Sequence, residues 1–415
     1  MSITPFPFWV LAGILLCMNA PAQSAESPEG VARLAEVRDV LRRTPLIDGH
    51  NDLPWQYRKF TNNLDAFNLR GDASGPPANL VTDFPRLRQG GVGGQFWAVY
   101  VPGTLPGPEA VQTALEQFDM VHRMVRRYSD ATELALTAAD IRRIHHEGRI
   151  ASLIGVEGGH AINNSLAVLR MFHSLGARYL TLTHVKNNDW ADAAGDVARH
   201  HGLTAFGGDV IRELNRLGMM VDLSHVTDDV MRQALQISQA PVVFTHSSAR
   251  ALCDHLRNVP DDILRQVKLN KGLVMVCFLP GYLNNASAAH FNAAVTERAR
   301  LTREFSDSAK VEQELEKWRA LHPSPTATLQ DVADHLDHLC KVVGVDHVGI
   351  GSDFEGFHGS VEGLEDVSKY PMLLAEMLRR GYTPADIEKI AGGNMLRVFA
   401  EVEIVGKRLQ AARTP

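Results

Sequence analysis

The sequence LIDGHND at residues 46–52 is a short apolar run that closes on polar side chains, and similar runs recur along the chain. They alternate with amphipathic helical patterns, which is typical of a parallel sheet covered by helices. The runs predict eight strands, at residues 46–52, 93–101, 150–157, 179–184, 219–225, 242–246, 273–279 and 347–353. Helical patterns lie between them at 109–128, 165–175, 208–217, 228–238, 261–269 and 329–343, with two more after the eighth strand. Eight units of strand and helix predict a (β/α)8 TIM-type barrel.

The length of the chain predicts insertions in that barrel. It has 415 residues, whereas a typical barrel of this kind uses about 250. We expect the surplus at residues 56–90, after the first strand, and at 281–327, after the seventh, where a charged helical run spans 296–320. Both segments follow strands, so both should lie at the carboxyl end of the barrel, where substrates enter. For 281–327, a substrate-covering role and a decorative one remain equally open.

The N-terminus is typical of an exported protein. Residues 6–18 are apolar and small residues follow, which predicts a secretory signal peptide at residues 1–25 and a single barrel domain at 26–415. An apolar run of this length is short for the roughly 20 residues of a spanning helix. The C-terminal Lys407, Arg408 and Arg413 are unlike the hydrophobic tail of a lipid-anchor signal. We therefore expect a periplasmic or secreted protein without a stable membrane anchor.

The composition of the chain argues against nucleic-acid binding and against cysteine-based chemistry. The formal charge is −6 and the sequence pI is about 6.3, which gives no cationic surface for a nucleic-acid partner. The four cysteines are too few for a disulfide framework and lack metal-binding spacing, so we do not expect cysteine to carry the chemistry.

Polar residues stand where buried parallel strands are normally apolar. Six of the predicted strands end on an imidazole or a carboxylate, at His50 with Asp52, Glu157, His184, His225, His246 and Asp353. In a closed barrel these ends converge on one rim, and their donor types suit a divalent metal. His50 with Asp52 and His225 with His246 form two pairs that can share Glu157. This is the arrangement of two-metal hydrolases, whose ions lie about 3.5–4 Å apart.

With these residues in place, the chain from about residue 45 to about residue 399 resembles the membrane (renal) dipeptidase family of zinc peptidases, as a bacterial secreted member. The resemblance rests on six stretches, IDGHNDLP at 47–54, GVEGGH at 155–160, LTLTH at 180–184, FTHSS at 244–248, RNVP at 257–260 and GIGSDF at 349–354. It implies two zinc ions per chain, one held by His50 and Asp52 and the other by His225 and His246, with Glu157 as the bridge.

The resemblance also implies how substrate is bound. His184 would contact it near the scissile carbonyl, Arg257 would bind its C-terminal carboxylate, and Asp353 would be the acid and base beside a metal-bridging water. The substrate would be a dipeptide and the protein a homodimer. A D-residue at the C-terminal position and hydrolysis of some β-lactams are compatible with the family, and neither can be read from these motifs.

Three other functions compete with this interpretation. Another metal-dependent amidohydrolase or lactonase of the barrel type commonly uses a carbamylated lysine as its bridge, and Lys186 is the candidate here. A glycosidase would use Glu157 and Asp353 as its carboxylate pair and would leave the histidines unexplained. A non-catalytic metal or peptide binder is the remaining alternative.

Overall fold

The parallel ladder of this protein starts at residue 46 and closes on itself in a computed structural model that describes residues 27–412. The strands are β1 (Leu46–Asn51), β2 (Val92–Tyr100), β3 (Thr132–Leu134), β4 (Ile150–Glu157), β5 (Ala177–Thr181), β6 (Met220–Asp222), β7 (Val243–Phe244), β8 (Leu273–Val276), β9 (Ala327–Thr328), β10 (Val348–Ile350) and β11 (Val361–Glu362). Eight of them follow the order β2-β1-β10-β8-β7-β6-β5-β4, and β4 pairs with β2 to close the barrel. The predicted (β/α)8 fold is confirmed.

Helices fill the connections between these strands. They are α1 (Pro28–Arg43), α2 (Leu53–Lys59), α3 (Phe84–Gln89), α4 (Gly107–Arg127), α5 (Ala138–His146), α6 (Leu166–Ser174), α7 (Ala205–Leu217), α8 (Asp228–Ile237), α9 (Asp261–Leu269), α10 (Asn285–Glu304), α11 (Ser308–Leu321), α12 (Leu329–Val343), α13 (Tyr370–Arg379), α14 (Pro384–Glu388) and α15 (Asn394–Ala411). The six predicted helical patterns are confirmed as α4, α6, α7, α8, α9 and α12, each within three residues at either end. Sequence reasoning missed α1 and the short strands β3, β9 and β11.

The barrel strands are buried on both faces, as expected for a parallel sheet between a filled interior and covering helices. All eight residues of β4 are buried. Within that strand, a Cβ at Gly155 would lie 1.9 Å from the ring of Tyr179 on β5. The glycine therefore leaves the space into which the Tyr179 ring packs.

Several strands are shorter at their carboxyl ends than the sequence predicts. The predicted strands at 219–225, 242–246 and 347–353 stop at Asp222, Phe244 and Ile350. The polar residues that follow turn out of the regular ladder into the rim, although single backbone hydrogen bonds still tie them to neighbouring strands, such as the one from Asp353 N–H to the carbonyl oxygen of His50. Residue 52 likewise lies just outside β1 and precedes α2.

The insertion at 281–327 folds into α10 and α11, and the run predicted as one helix over 296–320 is in fact two. The break lies at Phe305, where the backbone is extended, and Asp307 caps α11 by accepting a hydrogen bond from the N–H of Ala309 at 2.9 Å. Leu301, Val311 and Leu315 pack the two helices together.

The predicted signal peptide at 1–25 lies outside the described residues. Between residues 27 and 412, the helices are too short or too polar to cross a membrane.

Candidate metal centre and active site

Six elements deliver the predicted site residues to one end of the barrel. His50 is on β1 and Glu157 ends β4, whereas Asp52, His184, His225, His246 and Asp353 come one to three residues after their strands. Arg257 lies further on, in the loop between β7 and α9. His225 and Asp353 have left-handed backbones, with φ of 72° and 67°. That conformation is costly for residues with a β-carbon and persists where the surrounding structure enforces it, often at functional sites.

Glu157 lies between two groups of side chains. Its Oε2 is 3.6 Å from Nε2 of His50, and its Oε1 is 3.1 Å from Nε2 of His225 and 3.4 Å from Nε2 of His246. Asp52 Oδ2 is 3.3 Å from the same His50 nitrogen. The two oxygens of one carboxylate therefore face two different donor sets, and within each set the donor atoms lie within 4.8 Å of one another.

The histidines are in close contact. Nε2 of His225 is 2.8 Å from Nε2 of His246, and the ring centroids of His50 and His246 are 4.0 Å apart. Asp353 joins them, since its Oδ1 is 3.9 Å from Nε2 of His50. Two unprotonated ring nitrogens at 2.8 Å repel each other unless a proton or a cation lies between them.

Tyr179 orients the first histidine, a role that no feature of the sequence pattern indicates. Its hydroxyl donates to the carbonyl oxygen of Gly49 at 3.3 Å and lies 3.0 Å from Nδ1 of His50. Because the hydroxyl proton is used on the carbonyl, we infer that Nδ1 carries the ring proton and donates it to the hydroxyl oxygen. Nε2 then faces Asp52 and Glu157. Burial alone would lower the pKa of His50, but Tyr179 and these two carboxylates raise it well above its ordinary value, so this nitrogen favours a bound proton or metal ion.

Thr245 and Asp222 do the same for His246. Thr245 Oγ1 donates to Asp222 Oδ2 at 2.7 Å and lies 2.9 Å from Nδ1 of His246. Asp222 also accepts from the hydroxyl of Thr181 at 2.6 Å. A buried carboxylate in a β-strand was the available signal for this relay, because such a group requires hydrogen-bond donors. Partners of this kind fix the tautomer of metal-binding histidines.

The pKa shifts of the buried carboxylates and imidazoles favour a cation within the cluster. Burial, with the charges of Asp52 and Glu157, raises the pKa of Asp353 well above its ordinary value. Burial alone would raise the pKa of Glu157, but the surrounding imidazoles lower it well below its usual range. Burial lowers the pKa of His225 and His246 well below that of a free imidazole, so both rings are neutral and can offer a lone pair.

The donor set fits divalent metal ions. Nε2 of His50 is buried and has no hydrogen-bond partner within residues 27–412, although two carboxylates face it. Imidazole nitrogens and carboxylate oxygens are the ligands that zinc takes in catalytic sites. A cation in each set would provide the partner that Nε2 of His50 lacks and would relieve the close approach of Nε2 of His225 to Nε2 of His246.

The predicted substrate-binding residues differ in position. His184 lies at the cluster, with Nε2 3.9 Å from Glu157 Oε1, and both His184 and Asp353 line the adjoining cavity. Arg257 is buried and is not among the residues that line this cavity, although its guanidinium lies over the ring of Tyr282, which does line it. Its guanidinium donates to Ser247 Oγ at 3.1 Å and to the carbonyl oxygen of His246 at 3.0 Å, while its buried Nε has no partner in the described part of the chain.

Lys186 lies away from the cluster. Its side chain is half exposed, and Nζ lies 3.5 Å from Asp196 Oδ1. The position between the two donor sets is occupied by Glu157, so the structure offers a carbamylated Lys186 no bridging place.

A cavity of about 670 Å³ opens from the cluster. The insertion contributes much of its wall through α10 and α11, including Phe291, Val295 and Arg319. His290, His322 and His358 also line it, and none of the three was singled out by the sequence. The insertion therefore forms part of the cavity wall and is not a remote surface excursion.

A (β/α)8 barrel with imidazole and carboxylate donors at its carboxyl rim defines a class, the metal-dependent barrel hydrolases. A model of the membrane dipeptidase family, peptidase family M19, matches residues 34–413, and the chain belongs to that family. The resemblance inferred from the sequence motifs is confirmed, and the chain is an enzyme of a metallopeptidase family.

Individual relatives agree with this assignment. Dipeptidase 3 of Mus musculus is 42% identical over 376 residues, which cover 89% of this chain and 66% of the mouse protein, just under two thirds of its length. The probable dipeptidase PvdM from Pseudomonas aeruginosa is 26% identical with a TM-score of 0.77, over 90% of this chain and 99% of that one. A metallo peptidase from Rhodobacter sphaeroides, liganded with a phosphinate mimic of the dipeptide L-Ala-D-Ala, is 27% identical with a TM-score of 0.71, over 87% and 99%.

Proposed function

We propose that this protein is a binuclear zinc dipeptidase. The observation that carries the proposal is the position of Glu157, whose two carboxylate oxygens face two separate pairs of donors. His50 and Asp52 would hold one ion, His225 and His246 the other, and Glu157 both. When bound, the ions supply a nucleophile at neutral pH and Lewis acidity toward the peptide carbonyl.

The chain's own residues would complete the reaction. Asp353 takes a proton from the attacking water and delivers it to the leaving nitrogen, while the water oxygen bonds to the carbonyl carbon and the carbon–nitrogen bond breaks. His184 lies at the cavity wall near Glu157 and would stabilise the oxyanion, a role whose loss commonly costs about 10²-fold to 10³-fold in rate.

The relatives support the proposed substrate class. The Rhodobacter enzyme is liganded with a mimic of L-Ala-D-Ala, which supports dipeptides, including those with a D-residue at the C-terminal position. Arg257 would bind the C-terminal carboxylate, a group that its planar guanidinium suits. Two of its five N–H groups donate to Ser247 and His246, which leaves one on each Nη and the buried Nε for this role. Some β-lactams with a dehydropeptide-like bond belong in the same panel.

We also propose the setting in which the enzyme works. The apolar N-terminal run supports export to the periplasm or beyond after removal of residues 1–25, with 26–415 as one domain. The family resemblance supports a homodimer.

A metal count combined with a substrate panel tests the proposed activity. We expect two zinc ions per chain and hydrolysis of L-Ala-L-Ala or L-Ala-D-Ala, but not of the tripeptide L-Ala-L-Ala-L-Ala. Tripeptide hydrolysis at a comparable rate would contradict the dipeptide assignment, and full activity after exhaustive chelation would contradict metal dependence.

A further inference from the structure

Cys277 lies directly behind the proposed acid and base. It follows the last residue of β8 and is fully buried. Its Sγ lies 3.6 Å from Oδ2 of Asp353, and it accepts a hydrogen bond from the backbone N–H of Leu279 at 3.4 Å. Because the N–H occupies a lone pair of the sulfur, the thiol proton is free to point at the carboxylate.

Asp353 has few other constraints on its side chain. Its backbone is tied down, since its N–H donates to the carbonyl oxygen of His50 at 3.2 Å and its φ is 67°. Among residues 27–412, the thiol of Cys277 is the group within hydrogen-bond distance that can donate to the Asp353 carboxylate. The rotation of that carboxylate about its last bond therefore depends on the thiol.

The other oxygen of the carboxylate, Oδ1, lies in space that Gly356 leaves free. A Cβ at this position would lie 2.6 Å from Asp353 Oδ1 and 2.4 Å from Asp52 Oδ2. Oδ2 therefore faces the sulfur of Cys277, while Oδ1 lies beside Gly356 and 3.9 Å from Nε2 of His50.

We propose that Cys277 is a positioning residue whose thiol donates to Oδ2 of Asp353 and so holds Oδ1 toward the metal donors. The inference rests on the proposed function, in which Asp353 moves the proton between water and leaving nitrogen. Proton transfer in an enzyme depends on such alignment, because a misplacement of about 1 Å can cost roughly 10²-fold in rate.

The size of the effect follows from the strength of the contact. A thiol is a weak donor, and a net hydrogen bond of about 0.5–1.5 kcal/mol corresponds to a rate change of roughly twofold to tenfold. Cys277→Ala should therefore lower kcat for L-Ala-D-Ala by roughly fivefold. KM and the metal content should stay as in the wild type, since the sulfur contacts neither the proposed ligands nor the cavity.

Two further variants separate positioning from packing. Cys277→Ser keeps a donor at the same place and should recover most of the lost kcat. Cys253→Ala is the matched control, because Cys253 is equally buried but its thiol faces the carbonyl oxygen of Gly281 at 3.7 Å. It should have the kcat of the wild type, and any loss of thermal stability common to both alanine variants is then a packing effect.

A measurement independent of turnover tests the contact itself. The S–H stretching band of Cys277, identified in the infrared spectrum by its absence in Cys277→Ala, should lie at a hydrogen-bonded frequency and move to a free one in Asp353→Ala. Inactivity of the wild-type protein on every dipeptide would refute the proposed function but leave this spectroscopic result in place.

The positioning role is overturned by any of three results. These are a wild-type kcat in Cys277→Ala, an equal loss in the serine and alanine variants, and an S–H band that does not respond to Asp353→Ala.

Discussion

The carboxyl rim of the barrel and the α10–α11 insertion meet at the same cavity, but they are built differently. At the rim, His50, Glu157 and His246 are buried, and hydrogen bonds to Tyr179 and Thr245 fix two of them. The insertion has few buried residues and many exposed ion pairs, a kind of contact that contributes little to stability. The rim fixes the chemistry, whereas the insertion supplies a wall that can vary with the substrate.

This contrast predicts different consequences for substitutions in the two regions. A change at the rim should alter metal content and kcat, because donor positions there determine what binds the ions. A change in the insertion should alter KM for particular side chains and leave both metals and the bond-breaking step in place.

The largest effect is expected at the residue that both halves of the rim share. Glu157→Gln removes the negative charge facing His50 on one side and His225 on the other, so the variant should lose at least one zinc and roughly 10³-fold or more in kcat/KM. Metal analysis and dipeptide turnover on the same sample measure both. Near-normal turnover with two metals bound would reject the bridging role.

A smaller effect is expected from the relay behind His246. Thr245→Val removes the hydroxyl that links this ring to Asp222, and loss of such a partner typically costs about 10-fold to 100-fold in metal affinity or activity. Thr181→Val is the matched control, because it removes the other hydroxyl on Asp222 but touches no imidazole. Zinc affinity is measured by competition with a chelator, and equal losses in the two variants would assign the effect to Asp222 burial alone.

The smallest effect is expected in the insertion. Phe291 lines the cavity from α10, so Phe291→Ala should raise KM for dipeptides with a large side chain by roughly tenfold, the scale of a lost apolar contact. Metal content and kcat for L-Ala-L-Ala should not change. Leu321→Ala, an exposed position at the end of α11, is the control and should leave all three quantities as they are. A fall in metal content in Phe291→Ala would show that the insertion also affects metal binding, and it would contradict the proposed division between the cavity wall and the rim.

The same contrast explains how far the sequence could be interpreted. The rim residues could be predicted because an imidazole or carboxylate at the end of an apolar strand is unusual, and barrel closure brings such ends together. The predicted strand limits at 225, 246 and 353 were too long, because the left-handed turns at His225 and Asp353 depend on contacts with other elements. The hydrophobic pattern of the sequence does not indicate where such turns end a strand.

Other features of the site could not be predicted from the sequence, because they depend on contacts between distant parts of the chain. Tyr179 contacts His50 across the barrel, in space that Gly155 leaves, and neither residue differs in sequence from an ordinary core position. The break between α10 and α11 at Phe305 interrupts a run that is charged and helical throughout. The cavity-lining histidines of α10 and of the segment after α11 could not be separated from surface histidines, because only the fold of the insertion brings them to the site.

The proposed function depends on two metal ions that share one ligand, Glu157. Crystals grown with zinc and measured with anomalous diffraction at the zinc edge test it directly. We expect two anomalous peaks about 3.5–4 Å apart, one beside His50 and Asp52 and the other beside His225 and His246, with one oxygen of Glu157 directed at each. A single peak, or two peaks that do not share Glu157, would contradict it.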